Sequence, residues 1–172
     1  LLLRQQAGNY KSDSDWDCTN AASAACLASK DDPNFSAINQ LTQSSQDFVG
    51  TDGKYEFELK WGGVSNAAET QRWKQISNPM TYKPNGNTGA GGVLGYEAVA
   101  VHCPSGLPGS LLNRKWGGLE WSGGKSLLDG SASSNSWWWA VGTHIGFKGG
   151  IPGPCKEVAN SVELWVKKQV PG

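Results

Sequence analysis

Residues 54–61 read KYEFELKW and alternate strictly between charged and apolar side chains. The apolar positions are Tyr55, Phe57, Leu59 and Trp61. Because successive side chains of a β-strand point to opposite faces, this pattern predicts an antiparallel strand with one face buried and the other in water. A chain that contains such a strand must supply partner strands and a core to cover it.

Further segments with strand character follow. We predict strands within VLGYEAVAVHC (93–103), GGLEW (117–121), KSLLDG (125–130), SWWWAVGTHIGF (136–147) and NSVELWVKK (160–168). A Gly123-Gly124 turn joins the second and third of these. Six to eight short strands over about 120 residues, separated by loops rich in Gly and Pro, are typical of an antiparallel β-sandwich or jelly roll. We therefore predict a mainly β fold, with this module at 51–172.

Residues 1–50 differ from the rest, and we predict that they form an N-terminal arm with short helices packed on the core. The Ala-rich segment 19–29 predicts one helix, and 34–45 predicts a second. Asp32 and Pro33 are residue types that favour the N-cap and first position of the second helix.

The four cysteines are Cys18, Cys26, Cys103 and Cys155, and no C-x-x-C motif occurs. An even number favours two disulfides and an oxidising compartment. If residues 18–26 were helical, the Cα atoms of Cys18 and Cys26 would lie roughly 12 Å apart, because a helix rises ~1.5 Å per residue. A disulfide needs its two Cα atoms within ~7 Å of each other. Either these two bond elsewhere, or the helix begins later and a local bridge leaves Cys103 for Cys155. We favour the local bridge.

Charge and composition restrict the partners. The chain has 15 Lys plus Arg against 15 Asp plus Glu and no run of like charge, which disfavours nucleic acid and acidic membranes. No segment reaches the ~18 apolar residues of a spanning helix, so we expect no membrane insertion. With 23 Gly and 9 Trp the composition suits an extracellular β-rich domain. A sequon predicts N-glycosylation at Asn34, which is compatible with secretion.

Few residues point to catalysis. His102 and His144 lie in separate predicted strands without a ligand-spaced motif, and no nucleophile elbow occurs. The strand acids show no spacing that selects the two carboxyls of a glycosidase, which is the enzymatic alternative that we retain. We predict that the chain is not an enzyme.

The segment DSDWD places Asp13, Asp15 and Asp17 as in the opening of a calcium loop. An EF-hand would need Gly and Glu where Cys18 and Ala24 stand. The sequence therefore suggests an irregular calcium site at these acids as its one cofactor, with a solvated acidic loop as the alternative.

Aromatic side chains are the stronger functional signal. Trp rings stack on the apolar faces of sugars, and Asn, Asp and backbone groups bind their hydroxyls. In the run 137–139, alternation places Trp137 and Trp139 in the core and Trp138 outward, and Trp165 lies on the charged face of the last strand. The predicted ligand-binding residues are Trp73, Asn78, Trp121, Trp138 and Trp165. The alternative for each Trp is a core position or a subunit contact.

The segments RWKQISNP (72–79), KWGGLEW (115–121), WWWAVG (137–142) and VELWV (162–166) resemble a Trp-rich module of secreted and cell-surface proteins of marine invertebrates and unicellular algae. The resemblance covers 54–168. In those proteins the module often stands beside lectin-like or fibrinogen-like units. The resemblance implies an extracellular β module for recognition or assembly, and it brings no catalytic residue.

The sequence thus predicts a secreted recognition module that binds carbohydrate through exposed Trp and loop Asn or Asp. Its partner would be a glycan or another extracellular protein. The alternative is a structural subunit of an extracellular filament, coat or matrix that self-assembles through Trp- and Gly-rich surfaces.

Overall fold

A computed structural model describes residues 1–64, 69–84, 92–101, 117–130, 139–154 and 157–169. Within these ranges the chain is mainly β, with antiparallel sheets and three short α-helices, as the sequence predicts at this coarse level. None of the helices found in these ranges is long and apolar enough to cross a bilayer.

The largest sheet has six strands in the order β2-β1-β11-β3-β4-β5, and every neighbouring pair is antiparallel. Its strands are β1 Leu3–Gln6, β2 Phe35–Ser36, β3 Tyr55–Gly62, β4 Thr70–Gln75, β5 Glu97–Ala100 and β11 Ser161–Val166. The alternation predicted for 54–61 is confirmed in β3, whose four apolar side chains are all buried. The opposite face of this sheet therefore carries its charged side chains.

A second sheet contains β6 Leu119–Trp121, β7 Ser126–Gly130 and β8 Ala140–Thr143. The short strands β9 Ile151–Pro152 and β10 Val158–Ala159 pair with each other. The predicted hairpin around Gly123-Gly124 is confirmed as β6 and β7. Buried side chains from both larger sheets and from the helices belong to one hydrophobic cluster.

Two fully buried glutamines join these sheets. The Gln5 amide donates to the Thr143 carbonyl at 3.1 Å and accepts from the Thr143 N–H at 3.1 Å. The Gln75 amide makes the same pair of bonds with Leu119, at 3.0 and 2.9 Å. Each side chain thus satisfies the backbone of an outer strand of the second sheet, as a neighbouring strand would.

The helices are shorter than predicted. They are α1 Asp13–Trp16, α2 Ala24–Leu27 and α3 Gln40–Gln43, followed by a 3₁₀ turn at Ser45–Phe48. The helix predicted over 19–29 is wrong in extent because residues 19–23 form turns, in which the Thr19 N–H donates to the Asp17 carboxylate and the Ser23 N–H to the Asn20 carbonyl. Helix α2 then ends at Leu27, because the backbone of Ala28 is extended. The helix predicted over 34–45 is wrong at its start because residues 35–36 form β2 and the Asp32 carboxylate accepts a bond from the Ser29 N–H.

The first residues belong to the large sheet. Strand β1 lies between β2 and β11, with Leu3 and Gln5 buried and Arg4 and Gln6 on the other face. Part of the predicted arm, residues 1–50, is therefore an inner strand. Its four residues are too few to show an alternation in the sequence.

A disulfide joins Cys18 to Cys26 with a Cα–Cα distance of 5.6 Å. This is the local bridge, and it forms because helix α2 begins only at residue 24. The neighbouring Trp16 is fully buried, and its ring lies 3.1 Å from where a Cβ on Gly142 would stand. The predicted partners Cys103 and Cys155 lie outside the described residues.

Candidate ligand-binding site

Two of the predicted ligand-binding tryptophans are buried. Trp73 is 0% exposed, and its indole N–H donates to Gln75 Oε1 at 2.8 Å. Trp121 is 7% exposed, and the Lys83 ammonium lies 3.6 Å from its ring centroid. Trp73 offers no surface to a ligand because its side of β4 faces the core, and we assign it to the core. Trp138 lies outside the described residues.

Asn78 holds the turn that follows β4. Its amide donates to the Leu41 carbonyl at 2.6 Å and to the Tyr55 hydroxyl at 3.2 Å, and its oxygen accepts from the Met80 N–H at 3.0 Å. The bond from the Met80 N–H is the local pairing expected of an Asn in a turn, and the other two bonds tie this turn to α3 and β3. The residue is buried, so the structure places it in the framework.

The three aspartates proposed as a calcium site are not brought together. Asp13 contacts the His144 ring nitrogen, and Asp17 accepts from the Thr19 N–H and hydroxyl. Side-chain bonds from Asn20 and Ser12 hold the pKa of Asp15 below its usual value. Among the residues that the structure describes, no group of three or more His, Cys, Asp or Glu is placed to hold a metal. Asp15 is two positions from each of the other two, which in the single turn of α1 directs its carboxylate away from theirs.

Asn34, the predicted glycosylation site, precedes β2. Its side-chain oxygen accepts from the Gln6 N–H at 2.9 Å. The Ser36 hydroxyl of the same sequon is buried and donates to the Trp16 carbonyl. Because that hydroxyl is enclosed in the folded chain, glycosylation at Asn34 would have to precede folding.

Trp165 is the predicted ligand-binding residue that reaches solvent beside a cleft. It is half-buried on the outer face of the six-stranded sheet, as predicted from the charged face of the last strand. The cleft beside it has a volume of about 180 Å³, and its polar lining comes from Glu56, Glu58, Arg72 and Lys167. In the strand register Trp165 is opposite Glu58, which is opposite Arg72. An aromatic ring, a carboxylate and a guanidinium therefore stand side by side on three adjacent strands.

The indole of Trp165 is held in place by charged neighbours. Its N–H donates to Glu163 Oε1 at 2.9 Å, and the Lys60 ammonium lies 5.0 Å from the ring centroid. Burial raises the pKa of Glu163, but bonds from Arg4 and Trp165 outweigh it and leave that pKa below its usual value. A group that is ionised at neutral pH thus fixes the ring orientation.

The ion pairs of this face fall into two sets. Those away from the cleft are close: Arg4–Glu163 at 2.8 Å, Lys54–Glu97 at 2.8 Å and Lys74–Asp52 at 3.0 Å. Those at the cleft are long: Lys60–Glu58 at 3.4 Å, Lys167–Glu56 at 3.6 Å and Arg72–Glu56 at 3.8 Å. Since charge-assisted hydrogen bonds are about 2.7–2.9 Å long, the charged groups at the cleft retain capacity to bind a ligand.

A second group of interest was not singled out from the sequence. Glu120 and Asp129 are opposite each other on β6 and β7. Burial, and then the charge of Glu120, raise the pKa of Asp129 to about 8. The hairpin register about the Gly123-Gly124 turn is the signal that would have paired them. Glu120 accepts a bond from the Gly92 N–H at 2.6 Å, so this pair also holds a loop.

The chain matches no protein-family model, no curated protein and no solved structure. The resemblance to a Trp-rich extracellular module therefore stays a prediction, and the function has to be argued from the geometry of the cleft.

Proposed function

We propose that this chain is a secreted, non-catalytic carbohydrate-binding module with a β-sandwich fold, and that it binds sugar in the Trp165 cleft. The observation that carries the proposal is a half-exposed indole beside two carboxylates and two cations whose ion pairs are long. These are the groups that sugar recognition requires: an apolar face for the ring, with acceptors and donors for the hydroxyls.

The position of the cleft favours binding without rearrangement. Glu56 and Glu58 are on β3, the fourth strand in the sheet order, and Arg72 is on the adjacent β4. Side chains held by paired strands are better fixed than side chains on loops, so less entropy is lost when a ligand binds.

Trp165→Ala tests the proposal. Titration calorimetry with a panel of soluble glycans should show saturable binding to the unaltered chain and roughly 5- to 150-fold weaker association for this variant, because one stacked ring contributes on the order of 1–3 kcal/mol. Trp165→Phe, which keeps a smaller aromatic face, should retain part of the affinity. Leu27→Ala is the control, because it removes an exposed apolar side chain on α2. Equal binding by all variants, or no binding by any, would refute a sugar site at Trp165.

An assembly subunit is the second candidate, favoured by exposed apolar residues. Ile76, Leu94 and Val99 are 51%, 47% and 41% exposed, and the Ile76 N–H donates to the Leu94 carbonyl at 2.8 Å. Sedimentation velocity over a concentration series, together with Trp fluorescence during a sugar titration, distinguishes sugar recognition from assembly. A fluorescence change on adding sugar at constant mass favours recognition. Growth to large species without any response to sugar favours assembly.

A further inference from the structure

We infer that the Trp165 cleft selects an acidic sugar, with a uronate carboxylate bound between Arg72 and Lys167. The inference rests on the proposed function and names the class of ligand for the same site.

Arg72 and Lys167 share one carboxylate. Among the described residues, the ion-pair partner of both is Glu56, at 3.8 and 3.6 Å, and their side chains are 47% and 63% exposed. By contrast, Lys54 and Lys74 each have a carboxylate at 3.0 Å or less. With the neighbouring Lys60, the groups around the cleft are three cations (Lys60, Arg72 and Lys167) against two carboxylates (Glu56 and Glu58), which leaves a surplus of one positive charge. Exposed pairs of this length add little to stability, so a ligand anion can replace them at small cost.

The other carboxylate of the cleft does not cancel this surplus. Glu58 is paired with Lys60 at 3.4 Å, and the same ammonium lies 5.0 Å from the Trp165 ring. The charges of Glu58 and Lys60 beside the Trp165 ring therefore offset each other, which suits the ring and hydroxyls of a sugar. The charge asymmetry of the cleft gives a ligand one orientation, with its anionic group toward Arg72 and Lys167.

The strand spacing matches the size of such a ligand. Trp165 and Arg72 are two strands apart, which places their backbones about 10 Å from each other at the usual interstrand distance. The Arg72 Nε lies 3.8 Å from Glu56 Oε1, so the guanidinium reaches toward β3, the strand between Arg72 and Trp165. The guanidinium can thus approach the edge of a ring stacked on the indole, where the exocyclic carboxylate of a uronate stands. A guanidinium binds a carboxylate in a bidentate fork.

Matched sugars test the inference. Methyl glucoside and methyl glucuronide share a ring and differ in a hydroxymethyl against a carboxylate group. By titration calorimetry or ligand-observed NMR at about 0.01 M salt, we expect the uronate to bind roughly five- to tenfold more tightly. The preference should shrink at about 1 M salt, where the screening length is only ~3 Å.

Charge variants locate the effect. Arg72→Gln and Lys167→Gln should each reduce the preference for the uronate to less than half. Lys168→Gln is the matched control, because it removes the same charge from an exposed neighbour that does not line the cleft. Equal affinity of the unaltered chain for the two sugars would overturn the inference and leave the proposed function standing. The same holds if Lys168→Gln reduces the preference for the uronate as much as Arg72→Gln and Lys167→Gln do. If neither sugar nor any of the glycan panel binds, both fail together.

Discussion

At the scale of single residues, Gln75 has more bonds to satisfy than a typical buried side chain. Its oxygen accepts from the Trp73 indole and the Leu119 N–H, and its nitrogen donates to the Ser77 and Leu119 carbonyls. An amide is the one uncharged side-chain group with two acceptor sites and two donors. Buried polar groups that lose their partner cost about 1–3 kcal/mol each.

Gln75→Leu should therefore lower the free energy of unfolding by about 3 kcal/mol or more, because several buried backbone and indole groups lose partners at once. Gln46→Leu, at an exposed position of the 3₁₀ turn, is the control and should change stability by less than about 0.5 kcal/mol. Urea unfolding measures both. If Gln75→Leu changed the free energy of unfolding as little as Gln46→Leu, the bonds of Gln75 would not be what links the two sheets.

At the scale of elements, the β6–β7 hairpin carries a carboxyl that should hold its proton at neutral pH. The pKa of Asp129 is raised to about 8 in the folded chain, whereas an unfolded Asp titrates near 4. The folded state binds this proton more tightly, so the contribution of Asp129 to stability is complete below about pH 4. It is lost progressively as the pH rises toward 8.

Asp129→Asn should remove that dependence. Near pH 4 the variant and the unaltered chain should have similar free energies of unfolding. At pH 8 the variant should be more stable by up to several kcal/mol, because each unit of difference between the folded and unfolded pKa corresponds to about 1.36 kcal/mol. Chemical unfolding between pH 4 and 9 measures the difference. Asp31→Asn, at an exposed position, is the control. A difference in stability that grows toward low pH would contradict a raised pKa of Asp129.

Strand β3, the β6–β7 hairpin and the outward position of Trp165 were predictable because period-two alternation and a Gly-Gly turn are local signals. The helix boundaries were not, because the segment before α2 is held in turns by the Asp17 and Asn20 side-chain oxygens, which accept from backbone N–H groups, and by the Cys18–Cys26 bridge. The neighbours of Trp165 were not predictable either. Arg72 lies 93 positions from it in the printed numbering (165 minus 72) and meets it only through the register of β11, β3 and β4.

At the scale of the whole molecule, the N-terminal region and the later strands share one hydrophobic core. Leu3 is fully buried in the same cluster as Trp73, Leu128 and Leu164. Gln5 bonds to β8 across the core. Residues 1–50 are therefore expected to unfold together with 51–172.

Leu3→Ala should lower the free energy of unfolding by about 2–5 kcal/mol, the usual cost of a cavity in a core. The transition should stay single when followed by far-ultraviolet circular dichroism and by Trp fluorescence. Leu27→Ala, at a 72% exposed position, is expected to change stability by less than about 0.5 kcal/mol. Two separated transitions would show instead that the first 50 residues are a detachable arm.

The pairing of β1 with β11 has a consequence for biosynthesis. Leu3 is opposite Leu164, so β1 is translated about 160 residues before its partner strand β11. Until residue 164 has left the ribosome, the inner edge of β1 has no partner, and contacts of such long sequence separation form slowly. A nascent chain halted before that point would carry an open sheet edge, which is the form that a chaperone or a second copy would capture.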